Sequence, residues 1–201
     1  MDIEKIQKLK GREPRLILDS TCRRSAVCIP LIKGEGGTDV LFEIRSSHIE
    51  DQPGDICFPG GMLEEGETAS QAAIRECCEE LLVSPADIEI IGPSDVFHSF
   101  SVAVFPYAVY LKGVPLDYSR DEVDSLFTVP LQFFMDTEPE IHTIEWKVKT
   151  DADFPYRLIQ CGENYKWRRQ LEEEPFYIYE NHVIWGITAK IISAFAGIIR
   201  E

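Results

Sequence analysis

Basic residues are scarce in this chain. Twenty Lys and Arg stand against 35 Asp and Glu, giving a formal net charge of −15. That balance argues against non-specific binding to nucleic acid or to an anionic membrane. The six cysteines (Cys22, Cys28, Cys57, Cys77, Cys78 and Cys161) include no Cys-x-x-Cys pair, and no Cys/His cluster suggests zinc. Cys77 and Cys78 are adjacent, a poor geometry for an ordinary disulfide. The cysteines therefore read as small buried hydrophobes in a reducing compartment. His48, His98, His142 and His182 are scattered and form no ligand set. No apolar run is long enough to span a bilayer. The longest near the C-terminus, Ile184 to Ile199, is interrupted by Lys190. The first residues, Met1 to Lys5, are of mixed charge and lack the apolar core of a signal peptide, so a cytoplasmic location is expected. Internal repeats, low-complexity segments and linkers are also missing.

What is present suits a single domain over residues 1–201, with a core at about 25–195. A chain of 201 residues with 44% hydrophobic content can bury a sizeable core. A short amphipathic helix is expected over residues 3–10. Ser25 to Ile32 reads as a strand, with Pro30 pointing to a bulge or an edge. Gly34 to Gly37 is a turn, and Val40 to Arg45 is a second strand, forming a hairpin with the first. A loop follows over 46–60. Thr68 is a helix N-cap candidate, and 69–82 has helical composition. Ala69, Ala72, Ala73, Cys77 and Leu81 make a small-residue stripe suited to packing on a sheet. Ile88 to Gly92 and Phe97 to Leu111 read as strands, and Asp121 to Phe127 as a short helix or turn. Residues 141–180 hold at least one hairpin. Asn181 to Arg200 reads as the last helix, with Trp185 on its apolar side. These elements predict an α/β fold, one mixed sheet covered on both faces.

The most informative stretch begins at Gly61. Glu67 follows, then Arg75-Glu76-Cys77-Cys78-Glu79-Glu80. Glu76 and Glu80 are four apart on the expected helix, so they share one face. Two like charges at that spacing disfavour the helix slightly. A hard divalent cation, which takes carboxylate oxygens, would turn that cost into a binding site.

This spacing resembles the Nudix box, Gly-x5-Glu-x7-Arg-Glu-U-x-Glu-Glu-x-Gly-U with U aliphatic. Gly61, Glu67, Arg75, Glu76, Glu79 and Glu80 fill its glycine and charged positions, Cys77 and Val83 its aliphatic ones. Leu82 replaces the second glycine. A glycine there commonly adopts a left-handed conformation, which costs a residue with a Cβ about 1 kcal/mol. Either the helix runs on, or its end is built differently. A plain glutamate-rich amphipathic helix would account for the charges, but not for their register with Gly61 and Glu67.

Upstream, Leu41, Arg45, Ser46, Gly54 and Phe58-Pro59-Gly60-Gly61 resemble the additional motif of the coenzyme A diphosphatase branch of that family. Val129 to Leu131 and Ile184 to Ala189 are similar to later segments of the branch. Phe42 and Glu43 stand where the motif has Leu and Thr, and Glu50 where it has its second arginine.

The resemblance implies a Nudix-type α/β/α sandwich and an Mg²⁺- or Mn²⁺-dependent hydrolase of a phosphoric anhydride. Glu76 and Glu80 would be metal ligands, with the backbone carbonyl at Gly61. Arg75 would pair with Glu79, and Glu67 would orient Arg75 or support the loop. The general base is left between Glu79 and Glu122; the latter reads equally as part of a solvated acidic loop. Arg45 would contact a substrate phosphate, since guanidinium suits bidentate phosphate binding; pairing with Glu43 or Asp55 is the plainer alternative. Lys166, Arg168 and Arg169 form a basic cluster that reads first as a solvated loop face. The implied substrate is a small nucleotide, coenzyme A or a derivative, cleaved to 3′,5′-ADP and (acyl)phosphopantetheine. ADP-ribose or a dinucleotide is the alternative within enzymes, and a catalytically retired ligand sensor the alternative outside them. Self-association as a homodimer is left open.

Overall fold

The computed structural model describes residues 21–99, 101–113 and 117–200. The helix expected over residues 3–10 lies outside them. Strand β1 (Arg23–Lys33) pairs with β2 (Thr38–Arg45) as an antiparallel hairpin, Leu31 opposite Val40. On its other side β1 runs parallel to β7 (Val102–Leu111). Strand β5 (Ile88–Pro93) adds to β7, β3 (Ile56–Cys57) and β8 (Val123–Pro130) pair with β2, β4 (Gly60–Met62) with β1, and β6 (Phe97–His98) with β7. One parallel pair among antiparallel ones makes the sheet mixed.

Strand β1 is central, which corrects the edge position suggested by Pro30. Its β2/β4 side is interrupted between Val27, opposite Gly60, and Leu31, opposite Val40. Pro30 falls in that interruption, where a missing N–H costs little.

Alternation along the strands sends residues to two cores. Ala26, Cys28, Leu41, Val109 and Leu111 pack beneath helix α1 (Ala69–Leu81), against Ala72, Ala73, Cys77 and Leu81. Ile29, Leu31, Val40 and Phe42 face the opposite side. There they meet α2 (Leu131–Asp136) and α3 (Gly186–Arg200), whose Phe134, Ile191, Ile192 and Phe195 are buried. Phe42 lies at the centre of that layer, stacked on Phe58 (4.9 Å) and Phe127 (5.4 Å).

Four expectations are corrected. Residues 123–130 form a strand, where a short helix or turn was expected over Asp121 to Phe127; Val123 and Val129 are buried and β8 registers on β2 from Asp39 to Arg45, so tertiary pairing overrides the local signal. The last helix starts at Gly186 (φ 63°), after strand β11 (His182–Trp185), which pairs with β10 (Gln170–Tyr179). Trp185 is 43% exposed and stacks on Phe176 across that hairpin, instead of facing the core. The stretch expected as one strand, 97–111, is broken between β6 and β7.

The expected hairpin in 141–180 is present as β9 (Glu140–Trp146) against β10, joined by the long connection 147–169. Lys190 of α3 fastens this second sheet, bonding Glu172 (2.6 Å) and Glu174 (2.8 Å). Burial alone would lower the Lys190 pKa, and the two carboxylates outweigh it.

Candidate active site

Helix α1 begins where its sequence provides a cap. Thr68 accepts from the Gln71 amide (3.3 Å), and Gln71 accepts from the Thr68 amide (3.0 Å), a reciprocal capping box. The helix ends at Leu81, and Leu82 itself takes the left-handed conformation, φ 52° and ψ 36°. The chain therefore ends this helix with the geometry usual for glycine, at a cost of about 1–2 kcal/mol.

Arg75 is the hub of the box. It grips Glu67 through two bonds, Nε to Oε1 at 3.1 Å and Nη2 to Oε2 at 3.2 Å. It also donates to Glu76 (2.7 Å), Glu79 (3.2 Å) and the Met62 carbonyl (3.1 Å). These bonds hold the Arg75 pKa up, Glu67 first, and hold the Glu67 carboxyl below its usual range. One guanidinium thus ties the loop after β4 to the outer face of α1.

Glu80 points the other way, under the sheet edge, and is 4% exposed. Its Oε2 accepts the Gly60 amide at 2.8 Å. Gly60 and Gly61 lie on β4 opposite Val27 and Ala26. A Cβ at Gly61 would overlap the Glu76 carboxylate, so glycine is what allows that carboxylate to lie against the backbone. Burial pushes the Glu80 pKa up to about 8, with Glu76 and Glu122 adding to it against the Gly60 amide and Arg45. Burial also raises Glu76, less the effect of Arg75.

Glu122 reaches the cluster through backbone ties. The Ser119 amide bonds the Glu80 carbonyl (2.8 Å), and the Ser46 amide bonds the Glu122 carbonyl (2.8 Å). Its charge acts on Glu43, Glu76 and Glu80. Arg45, at the end of β2, donates Nε to the Asp51 carbonyl (3.2 Å), and its charge lowers Glu43 and Glu80. Among the described residues it forms no ion pair with Glu43 or Asp55. The structure therefore brings Arg45, Gly61, Arg75, Glu76, Glu79, Glu80 and Glu122 together around the β4–α1 junction. Lys166, Arg168 and Arg169 are exposed on the segment before β10, and Arg169 pairs with Glu145 (3.7 Å).

One member is absent from the sequence reading of the site. Glu43 is 2% exposed in the middle of β2, on the same face as Leu41. Burial raises its pKa well above the usual range, and the charge of Glu80 adds to this. Alternation places Asp39 and Leu41 on that face as well, so the sequence alone did not mark Glu43 as buried.

Among the described residues no three Asp, Glu, His or Cys side chains already stand as a closed ligand set. Glu76 is turned to Arg75, and Glu80 to the Gly60 amide. The donor chemistry nevertheless fits a hard divalent cation. Glu80 and Glu122 act with like charge on Glu43, Glu76 and Glu122 do so on Glu80, the buried Glu43 Oε1 has no partner, and a glycine-lined backbone lies alongside Glu76 and Glu80.

A match to the NUDIX domain family spans residues 22–150, and the chain belongs to the Nudix hydrolase family. Members of this family generally use divalent metal ions. The chain is 35% identical over 128 residues to Nudix hydrolase 3 of Caenorhabditis elegans, covering 60% of this chain and 53% of that protein, so it spans about half of that relative's length. It is 29% identical over 180 residues to the peroxisomal coenzyme A diphosphatase NUDT7 of Mus musculus, covering 88% of this chain and 70% of that protein. A MutT/nudix family protein from Enterococcus faecalis shares the fold, with a TM-score of 0.52 over 99% of this chain and 70% of that one, at 14% identity. Among the described residues no helix is long and apolar enough to cross a membrane.

Proposed function

We propose that this chain is a divalent-metal-dependent hydrolase of a nucleoside diphosphate linked to a further group, with coenzyme A or an acyl derivative as the leading substrate. The observation that carries the chemistry is the set of mutually repelling carboxylates Glu76, Glu80 and Glu122, the first two lying against the Gly60-Gly61 backbone. A bound cation supplies Lewis-acid stabilisation of phosphate oxygens and a more acidic water. Glu76, Glu80 and the Gly61 carbonyl would hold it. Arg75 keeps Glu67, Glu76 and Glu79 in place, fixing the helix face before substrate arrives. Glu79 or Glu122 takes the proton of the attacking water. Arg45 contacts a phosphate oxygen of the substrate.

Support for coenzyme A comes from the segment Leu41 to Gly61 and from the similarity to the mouse coenzyme A diphosphatase. Glu50 favours a second reading, ADP-ribose or a dinucleotide, because it places a carboxylate where the related motif has an arginine. The test is product release from coenzyme A, acetyl-coenzyme A, ADP-ribose, NADH and diadenosine polyphosphates, with Mg²⁺, Mn²⁺ or chelator. Metal-dependent 3′,5′-ADP from coenzyme A is the expected result. Preference for ADP-ribose or a dinucleotide would replace the substrate while keeping the chemistry. No metal-dependent turnover on any of them would overturn both.

A further inference from the structure

Glu43 has no explanation in the packing of the sheet. Its backbone is an ordinary β2 position, opposite Cys57 on β3 and Leu126 on β8. Its side chain lies inward, where a threonine or an aliphatic residue would satisfy the same strand position. Oε1 is buried with no hydrogen-bond partner, and Oε2 has only the Cys57 thiol at 3.9 Å. A buried carboxyl group with an oxygen left unpaired is unfavourable against a well-packed apolar residue. The titratable groups facing it come from three elements: Glu80 and the neutral thiol of Cys77 on α1, Arg45 on its own strand and Glu122 before β8. Two of these are carboxylic acids whose charge acts on Glu43, and the free oxygen is buried beside them without a partner. Arg45 is the cation among them, and its Nε is directed at the Asp51 carbonyl.

We infer that Glu43 is an additional carboxylate donor for a divalent cation, acting beside Glu80 from the sheet side of the site. This rests on the reading of Glu76 and Glu80 as metal ligands. It extends that reading from the helix to strand β2, so that the cation is gripped from two elements. The orphan oxygen and the like-charged neighbours then have one common physical cause: the polar partner they lack is a cation. The Thr of the related motif at this position has no charge to offer, so the donor set is more anionic in this chain.

The experiment is calorimetric titration of Mn²⁺ into the metal-free 201-residue chain, without substrate, for wild type, E43Q and E80Q. Melting curves are recorded in EDTA and in saturating Mn²⁺. Glutamine keeps the shape of Glu43 and removes its charge. The expected result is at least a tenfold loss of Mn²⁺ affinity, or loss of one bound ion, in E43Q. In EDTA the same variant melts no lower than wild type, because nothing in the apo fold depends on the carboxylate charge. Wild-type Mn²⁺ binding by E43Q, with E80Q impaired, would overturn the role of Glu43 alone. Unimpaired binding by both variants would overturn the ligand reading on which it rests. Lower melting of E43Q in EDTA would overturn it in favour of a structural role.

Discussion

The most direct physical consequence of the buried carboxylates is a stability that falls as pH rises when no metal is bound. Glu80 has a pKa of about 8 in the fold, against 4.5 for an unconstrained glutamate. Between those values the folded protein keeps a proton that the unfolded chain releases. The unfolded state then binds fewer protons, so unfolding becomes easier as pH rises through this window. About 3.5 pH units at 1.36 kcal/mol each set a ceiling of about 5 kcal/mol. A loss on the order of 2–4 kcal/mol between pH 5 and 8 is expected, or about 5–15 °C in Tm for a chain of this size. The assay is thermal or urea unfolding in EDTA across that range, for wild type and E80Q. Glutamine still accepts the Gly60 amide but does not titrate, so E80Q should show a much shallower slope. A residual slope remains from Glu43, which is shifted in the same direction. Added Mg²⁺ should stabilise wild type more at pH 8 than at pH 6, since ligation requires the deprotonated form. Parallel slopes for wild type and E80Q in EDTA would refute the reasoning.

Three further outcomes follow from the geometry around α1. Thr68→Ala removes the N-cap acceptor and should cost about 1 kcal/mol in urea unfolding, with metal affinity unchanged. At the left-handed position 82, Leu82→Asn should be more stable than Leu82→Val by about 1 kcal/mol, because Asn tolerates this conformation and a β-branched residue does not; equal stabilities would mean the backbone has an easy alternative. Gly61→Ala forces a methyl into the Glu76 carboxylate and should lower kcat about tenfold or more, with Mn²⁺ affinity falling alongside; normal turnover would show that Glu76 need not lie against this backbone.

Local chemistry in the sequence determined the helix and its charges. The capping box at Thr68, the small-residue stripe and the register of Arg75, Glu76, Glu79 and Glu80 depend only on neighbours within a few residues. The β1–β2 hairpin was equally legible, because the Gly34 to Gly37 turn joins two apolar runs. Two boundaries were not. Residues 123–130 are a strand because β2 offers them a partner from far back in the chain, and 182–185 because they fold back on the adjacent β10, Tyr179 opposite His182. Spacing arguments do not contain such pairings, since a strand acquires its hydrogen bonds from elsewhere. The site divides the same way. The helix carried its own acids in a fixed pattern. The nearness of Glu122 depends on ties from the loop before β8 to Glu80 and Ser46, and the burial of Glu43 on the closing of α1 over the sheet. Which residues carry charge is written in the sequence; which charges must share one low-dielectric space is decided only when the layers pack.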